Sequence, residues 1–211
     1  MFNTLTRRSQ LVAKRFFAKL IPDNLWVALK DELSYEKTVY QPETELQKYS
    51  SENSVQVEEL PNSPKVRAKK VVKGHEVLFE FYARSNLHPY EQEHRQKEHK
   101  VESETASFLD FSITIKKIGS TQSIMYECTC LDPELLIKNV MVCDGPEKDY
   151  RGPDFLRLTE ELQHSLAEYL NSFGVDQGLK DFIELLSLDR EQRLYMEWLE
   201  NFKNFLQISA K

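Results

Sequence analysis

Apolar positions recur along this chain at two different periods, and each period keeps to its own stretch. From residue 54 to 144 the period is two. Val77, Phe79, Phe81 and Ala83 alternate with Leu78, Glu80, Tyr82 and Arg84. Leu109, Phe111, Ile113 and Ile115 alternate with Asp110, Ser112, Thr114 and Lys116. Alternation of this kind belongs to strands with one dry face and one wet face. The pattern predicts strands at 65–72, 76–84, 109–117, 121–131 and 135–143, with a weaker one at 54–59. In 121–131, Ile124, Tyr126, Cys128 and Cys130 share a face, whereas 135–143 is apolar on both faces and so asks for cover on each side. Lys73-Gly74-His75 turns the first firm strand into the second. Gly119-Ser120 is predicted as a two-residue hairpin turn with glycine first.

From 150 to 206 the period lengthens to that of a helix. Phe155, Leu158, Leu162, Leu166, Tyr169 and Phe173 fall three or four residues apart and predict one helical stripe. Thr159 suits the N-cap, with Glu160 and Glu161 in the first turn where the helix dipole favours acids. Gly174 stands where a left-handed C-terminal cap belongs. Leu179, Phe182, Ile183 and Leu186 open a second stripe, which Tyr195, Trp198, Leu199, Phe202, Phe205 and Leu206 continue. The polar gap from Ser187 to Arg193 leaves one long helix or two open. An earlier helix at 23–40 is marked by Leu25, Leu29 and Leu33, with Asp23 or Asn24 as cap. Residues 41–53 are polar, contain Pro42 and Ser50-Ser51, and read as a linker. Strands come first and helices follow, so the class is α+β.

Charge changes this picture at the N-terminus. Residues 1–22 hold Arg7, Arg8, Lys14, Arg15 and Lys19 and no acid, interleaved with Phe2, Leu5, Val12, Phe16 and Leu20. That amphipathic, acid-free segment reads as a mitochondrial transit peptide, against the plainer alternative of a retained basic surface helix. The whole chain of 211 residues has 28 bases, 34 acids and a net charge of −6. Without the five leader bases, 23 bases face 34 acids, a net charge of −11 for the single domain 23–211. No apolar run approaches the roughly 20 residues of a membrane span. Three cysteines form no disulfide-framework spacing, which points to a reducing compartment.

Candidate chemistry is sparse. Residues 86–106 lack periodicity, and their composition predicts a mobile loop. The loop holds Glu91, Glu93, Glu98, Glu102 and Glu104, mixed with Arg95, Lys97, Lys100 and three histidines, His88, His94 and His99. Those histidines match no tetrahedral or facial-triad spacing. Cys128 and Cys130 read as small buried hydrophobes rather than zinc ligands, and His164 as a surface residue. The six glycines are isolated, and no phosphate loop, nucleophile elbow or triad occurs. The expectation is therefore no catalytic, cofactor-binding or metal-binding residue. What remains is an acidic surface, with Glu91, Glu93, Glu98, Glu102, Glu104, Glu160, Glu161 and Glu168 as its candidate contacts for basic partners.

One set of residues resembles a family. Tyr150-x-Gly152-Pro153-x-Phe155, Leu162-Gln163, Tyr169-Leu170, Gly174 and Tyr195-x-x-Trp198-Leu199-x-x-Phe202-x-x-Phe205 are similar to the signature of the mitochondrial acidic matrix proteins. This is the mitochondrial glycoprotein family, which includes the animal protein that binds the globular heads of the first complement component. Leu29, Glu32, Leu33 and Glu36 are similar to its first-helix pattern. The resemblance implies a twisted antiparallel sheet of about six or seven strands, flanked by one N-terminal and two C-terminal helices. It also implies that the first helix lies beside the last, and that the protein is a ring-like homotrimer. By function it implies a non-enzymatic adaptor of the mitochondrial matrix that engages basic proteins, such as ribosomal or RNA-binding proteins, in translation or RNA processing. In the family the loop corresponding to 86–106 is more one-sidedly acidic, so the bases and histidines here put an acid-patch role for it in doubt. The rival reading is direct RNA binding through Lys65, Arg67, Lys69, Lys70 and Lys73, which fall on alternating sides of one strand.

Overall fold

The period-two stretches form a six-stranded antiparallel meander in which each strand lies beside the next in sequence. The strands are β1 (Gln56–Glu59), β2 (Lys65–Val72), β3 (His75–Tyr82), β4 (Phe108–Lys117), β5 (Gln122–Leu131) and β6 (Glu134–Asp144). The computed structural model describes residues 23–83, 108–131, 134–144, 150 and 152–208. The leader at 1–22 and the whole of the loop at 86–106 lie outside these described residues. Among the described residues four helices accompany the sheet: α1 (Asp23–Val39), α2 (Thr44–Glu52), α3 (Glu160–Asn171) and α4 (Gln177–Ile208). The chain divides into two compact units, one of Glu43–Glu191 and one of Met1–Pro42 with Gln192–Lys211.

In the larger unit the register builds the core. Phe79 stands opposite Ala68 and Ile113, Phe111 opposite Phe81 and Cys128, and Tyr126 opposite Ile113. All are buried, and Leu170, Phe173, Val175, Leu179, Phe182, Ile183 and Leu186 join them in one apolar cluster. Between β2 and β3 a two-residue turn has Lys73 at φ 50° and Gly74 at φ 74°. Both central residues are left-handed, the conformation that matches the twist of a tight hairpin.

The β4–β5 turn differs from expectation. The ladder closes at Lys116 opposite Ser123, and Ser120 N–H donates to the Lys117 carbonyl at 3.0 Å. Gly119, at φ 85°, is therefore the third residue of a four-residue turn rather than the first of a two-residue loop.

The two-sided apolarity of β6 has a local cause. The register slips between Glu127 and Cys128, so that Cys128 pairs with Ile137 while Glu127 pairs with Asn139. An extra residue inverts which side chains face the core. Leu135 and Ile137 on one side of the slip, and Val140 on the other, all reach the main cluster. Met141 and Cys143 are buried on the opposite face.

Two further expectations are corrected. Residues 41–53 contain α2, not a bare linker, because Leu46 and Tyr49, three apart, both pack against the core. Tyr49 stacks on Phe182 with ring centroids 4.6 Å apart. The six-residue stripe is also not one helix. Phe155 lies in a short 3-10 turn, Phe155–Arg157, entered by Leu156 N–H donating to the Asp154 carboxylate at 3.1 Å. Thr159 holds the N-cap position with an extended backbone, yet its hydroxyl makes no cap bond. Leu166 and Leu170 face the core, whereas Leu162 and Tyr169 turn to solvent. Gly174 takes the left-handed conformation expected of it, at φ 71°.

Helix α4 runs unbroken for 32 residues through the polar gap. Ser187 and Arg190 within that gap are buried, so the gap is part of the packed face. In the smaller unit α1 lies against the C-terminal residues of α4, burying Leu29, Leu33, Leu199 and Leu206. Tyr195 Oη donates to Glu32 at 3.1 Å, and Gln192 donates to Glu36. Lys37 and Lys203 both reach Glu200 at 2.8 Å and hold its carboxyl down at about 2. A depressed carboxylate adds stability above its unfolded pKa and loses it below. This contribution therefore fades as pH falls from the ordinary 4.5 toward about 2. Glu200 is partly exposed, so the loss is under about 1 kcal/mol. An NMR titration of its side-chain carbon should show the low midpoint, and an ordinary midpoint would contradict the pairing.

Candidate acidic binding surface

Charge is distributed unevenly between the two kinds of element. The six strands carry eight carboxylates against seven lysines and arginines. The four helices carry fifteen against seven. The sheet is thus close to neutral, and the surplus of acid is helical.

The near-neutrality of the sheet is also local. Lys65, Arg67 and Lys69 alternate along β2 with Val66 and Ala68 and point to the wet face, where each meets an acid on a neighbouring strand. Arg67 Nε and Lys65 Nζ reach Glu80 at 2.8 and 2.9 Å, and Lys69 pairs with Glu58 of β1. Lys138 pairs with Asp110 at 2.6 Å. Lys70 faces the core instead. Its buried ammonium donates to the Gly174 carbonyl at 3.0 Å and stands over the Phe79 ring. Burial pushes its pKa down, with Asp176 acting in the other direction. The five bases singled out on this strand therefore form no common stripe. Three are matched on one face, one is internal, and Lys73 sits in the turn.

Two buried helical bases are similarly committed. Lys180 is buried against Glu184 at 3.0 Å. Arg190, also buried, donates to the Leu60 carbonyl at 2.7 Å and to the Ser63 carbonyl at 3.0 Å, with Glu59 at 3.4 Å. On α3 there is no lysine or arginine at all. Glu160 and Glu161 are exposed in its first turn, where the dipole favours them. Glu168 is exposed one turn from the C-terminus, with His164 at 3.2 Å. The structure thus gathers three of the eight candidate glutamates on one helix. Glu91, Glu93, Glu98, Glu102 and Glu104 lie outside the described residues. A second acidic run escaped the sequence reading because it is split between the supposed linker at 41–53 and the weak strand at 54–59. Residues 43–59 hold Glu43, Glu45, Glu52, Glu58 and Glu59 against Lys48 alone.

Thiol chemistry has little scope. Cys128, Cys130 and Cys143 are free and buried. Burial pushes Cys128 and Cys130 up to about 12 from an ordinary 9.0. That leaves them on the order of a thousandfold less thiolate than an exposed cysteine. Native protein at pH 8 should show no thiol reacting with a disulfide reagent within minutes, and all three should react after denaturation. Rapid labelling of native protein would overturn this packing. Among the described residues, no group of three or more His, Cys, Asp or Glu side chains is placed to hold a metal. No described helix is long and apolar enough to cross a membrane.

Comparison with known proteins places this architecture. A Leishmania major protein, described as a homologue of the human p32 protein, superposes with a TM-score of 0.64 at 19% identity. The Trypanosoma brucei p22 protein superposes with a TM-score of 0.65 at 21% identity. Each match covers 87% of this chain and 97% of the other, and shows the fold. In sequence, the chain is 32% identical over 114 residues to the mitochondrial acidic protein mam33 of Schizosaccharomyces pombe, spanning 47% of this chain and 42% of that one. It is 25% identical over 199 residues to the mitochondrial complement component 1 Q subcomponent-binding protein of Bos taurus, spanning 85% of this chain and 70% of that one. The family model described as mitochondrial glycoprotein matches residues 29–206, which take in the sheet and all but the first turns of α1, and the chain belongs to that family.

Proposed function

We propose that this protein is a non-enzymatic acidic adaptor of the mitochondrial matrix that holds basic protein partners, and that it acts in mitochondrial translation or RNA processing. The observation that carries the reading is the division of charge. Four of the seven strand bases are paired with strand acids and a fifth is buried, while the helices present fifteen carboxylates against seven bases. An uncompensated field of one sign attracts partners of the other and weakens with salt. One relative is named as an acidic protein and another as a binding protein, which supports an acidic binding role here. The acid-free segment 1–22 supports import into mitochondria, and family membership supports assembly as a homotrimer. Direct RNA contact is the weaker reading, because phosphate binding draws on free lysines and arginines and those of β2 are matched or buried.

A pulldown from matrix extract tests this. After nuclease treatment the protein should retain basic proteins and release them at roughly 0.3 M salt, where the screening length falls to a few ångströms. Loss of every partner on nuclease treatment would favour RNA. The informative single variant is Lys69→Glu, which reverses an exposed charge. Lys70→Glu would place an acid in the core and confound the result.

A further inference from the structure

We propose that β1 and the hollow beside it form a docking site for an extended partner segment in which basic and apolar residues alternate. This rests on the reading of the protein as a binder of basic proteins and assigns that binding a place. Strand β1 is the end strand of the sheet and pairs with β2 alone among the described residues. An edge strand directs alternate N–H and C=O groups outward, where another extended chain can pair with them. Beside it opens a hollow of about 280 Å³, lined by Leu46 and Ser50 of α2, Val55 and Val57, and Phe182 and Leu186 of α4. Val57 is 37% exposed there, and Leu60, just past the strand, is 62% exposed.

The form and charge of the occupant follow from this setting. A helix is roughly 10–12 Å across with its side chains, too broad for a hollow of this size, whereas single side chains of a strand fit. A strand places every second side chain on one face, so apolar groups enter the hollow while the intervening residues stay outside. Those lie on the side of a carboxylate-rich helix. Glu45 and Glu52 are exposed on α2, whose Leu46 and Ser50 line the hollow, and Glu43 is exposed just before it, with Lys48 as the single base of the run 43–59. Basic intervening residues are the complement. With four residues in β1, the pairing spans about 13 Å.

The test uses the full chain and four labelled peptides, followed by fluorescence anisotropy at low salt. One alternates lysine and valine, the second is the same peptide N-methylated at alternate residues, the third is oligolysine, and the fourth has the same composition arranged as an amphipathic helix. The alternating peptide should bind best, with N-methylation and Val57→Arg each weakening it about tenfold. Replacing Glu160, Glu161 and Glu168 with Gln should leave it within about twofold. Equal binding by Val57→Arg, or by the oligolysine or helical peptide, would overturn the site. If Val57→Arg still captures basic proteins at full strength, the site fails and the adaptor reading stands. If the wild-type chain captures none, the adaptor reading itself fails, and the site with it. Light scattering covers the remaining occupant: an oligomer that Val57→Arg dissociates would show a second copy seated there, again overturning the proposal.

Discussion

Gly152→Ala should lower the stability of this protein by about 3 kcal/mol or more, the sum of backbone strain and steric overlap. Gly152 has φ 80°, and a Cβ there would stand 2.1 Å from the Val140 carbonyl oxygen and 3.0 Å from its carbonyl carbon. Both are backbone atoms of β6, so no side chain can swing aside. The neighbouring Asp154 bridges to Asn139 of the same strand, which holds the two segments at this distance. Gly74→Ala supplies the control. Gly74 is left-handed too, but nothing lies within 4 Å of its missing Cβ, so the strain of roughly 1 kcal/mol stands alone. Urea denaturation of both variants measures the difference. Equal losses would mean that the close approach to Val140 carries no weight.

Arg190→Ala should cost about 3–5 kcal/mol, the range for removing one partner of a buried charged network. The guanidinium, 3% exposed as a residue, is the link between α4 and the loop after β1. Without it the Leu60 and Ser63 carbonyls lose their charged donor and Glu59 loses its counter-charge. Arg190→Lys should recover only part of the loss. An ammonium keeps the charge but cannot spread donors over two carbonyls and a carboxylate as the planar fork does. A full recovery by lysine would show that charge alone matters, and a loss below about 1 kcal/mol would show that water replaces the side chain.

The sheet was legible because its core residues alternate without interruption. Phe79 and Ile113 can face only one way once the period is two, and the strand limits followed within a residue or two. Helix α2 was not legible, since two apolar residues in a polar run of nine signal little until Phe182 is known to lie beneath Tyr49. β6 was legible in part. Both of its faces are covered, as its two-sided apolarity asked, but the inserted residue that moves the core face from Ile137 to Val140 was not, because sequence alone does not show where the partner strand slips. Arg190 looked like part of a polar gap between two stripes because its main partners are backbone carbonyls some 130 residues earlier, and carbonyls leave no mark in a sequence.

The candidate surface was legible only in total. Counting charges gave an acidic body, but where the acid resides depends on which bases are already matched. Lys69 and Lys70 are adjacent lysines with opposite fates, one paired on the wet face with Glu58 and one buried beneath Gly174. Strand register decides that, and register is a property of the fold. For the same reason α3, with no lysine or arginine, emerges as an unrelieved acidic helix only once its wet face is known.

The central claim is that carboxylates on the helices attract basic proteins directly. The measurement closest to it is the affinity of the purified chain, nuclease-treated, for one strongly basic protein over a series of salt concentrations. The affinity should fall steeply as salt rises, and replacing the exposed helical Glu45, Glu52, Glu160, Glu161 and Glu168 together with Gln should weaken it several-fold at low salt while leaving the fold intact. An affinity that does not change with salt, or no binding at the lowest salt, would contradict the account.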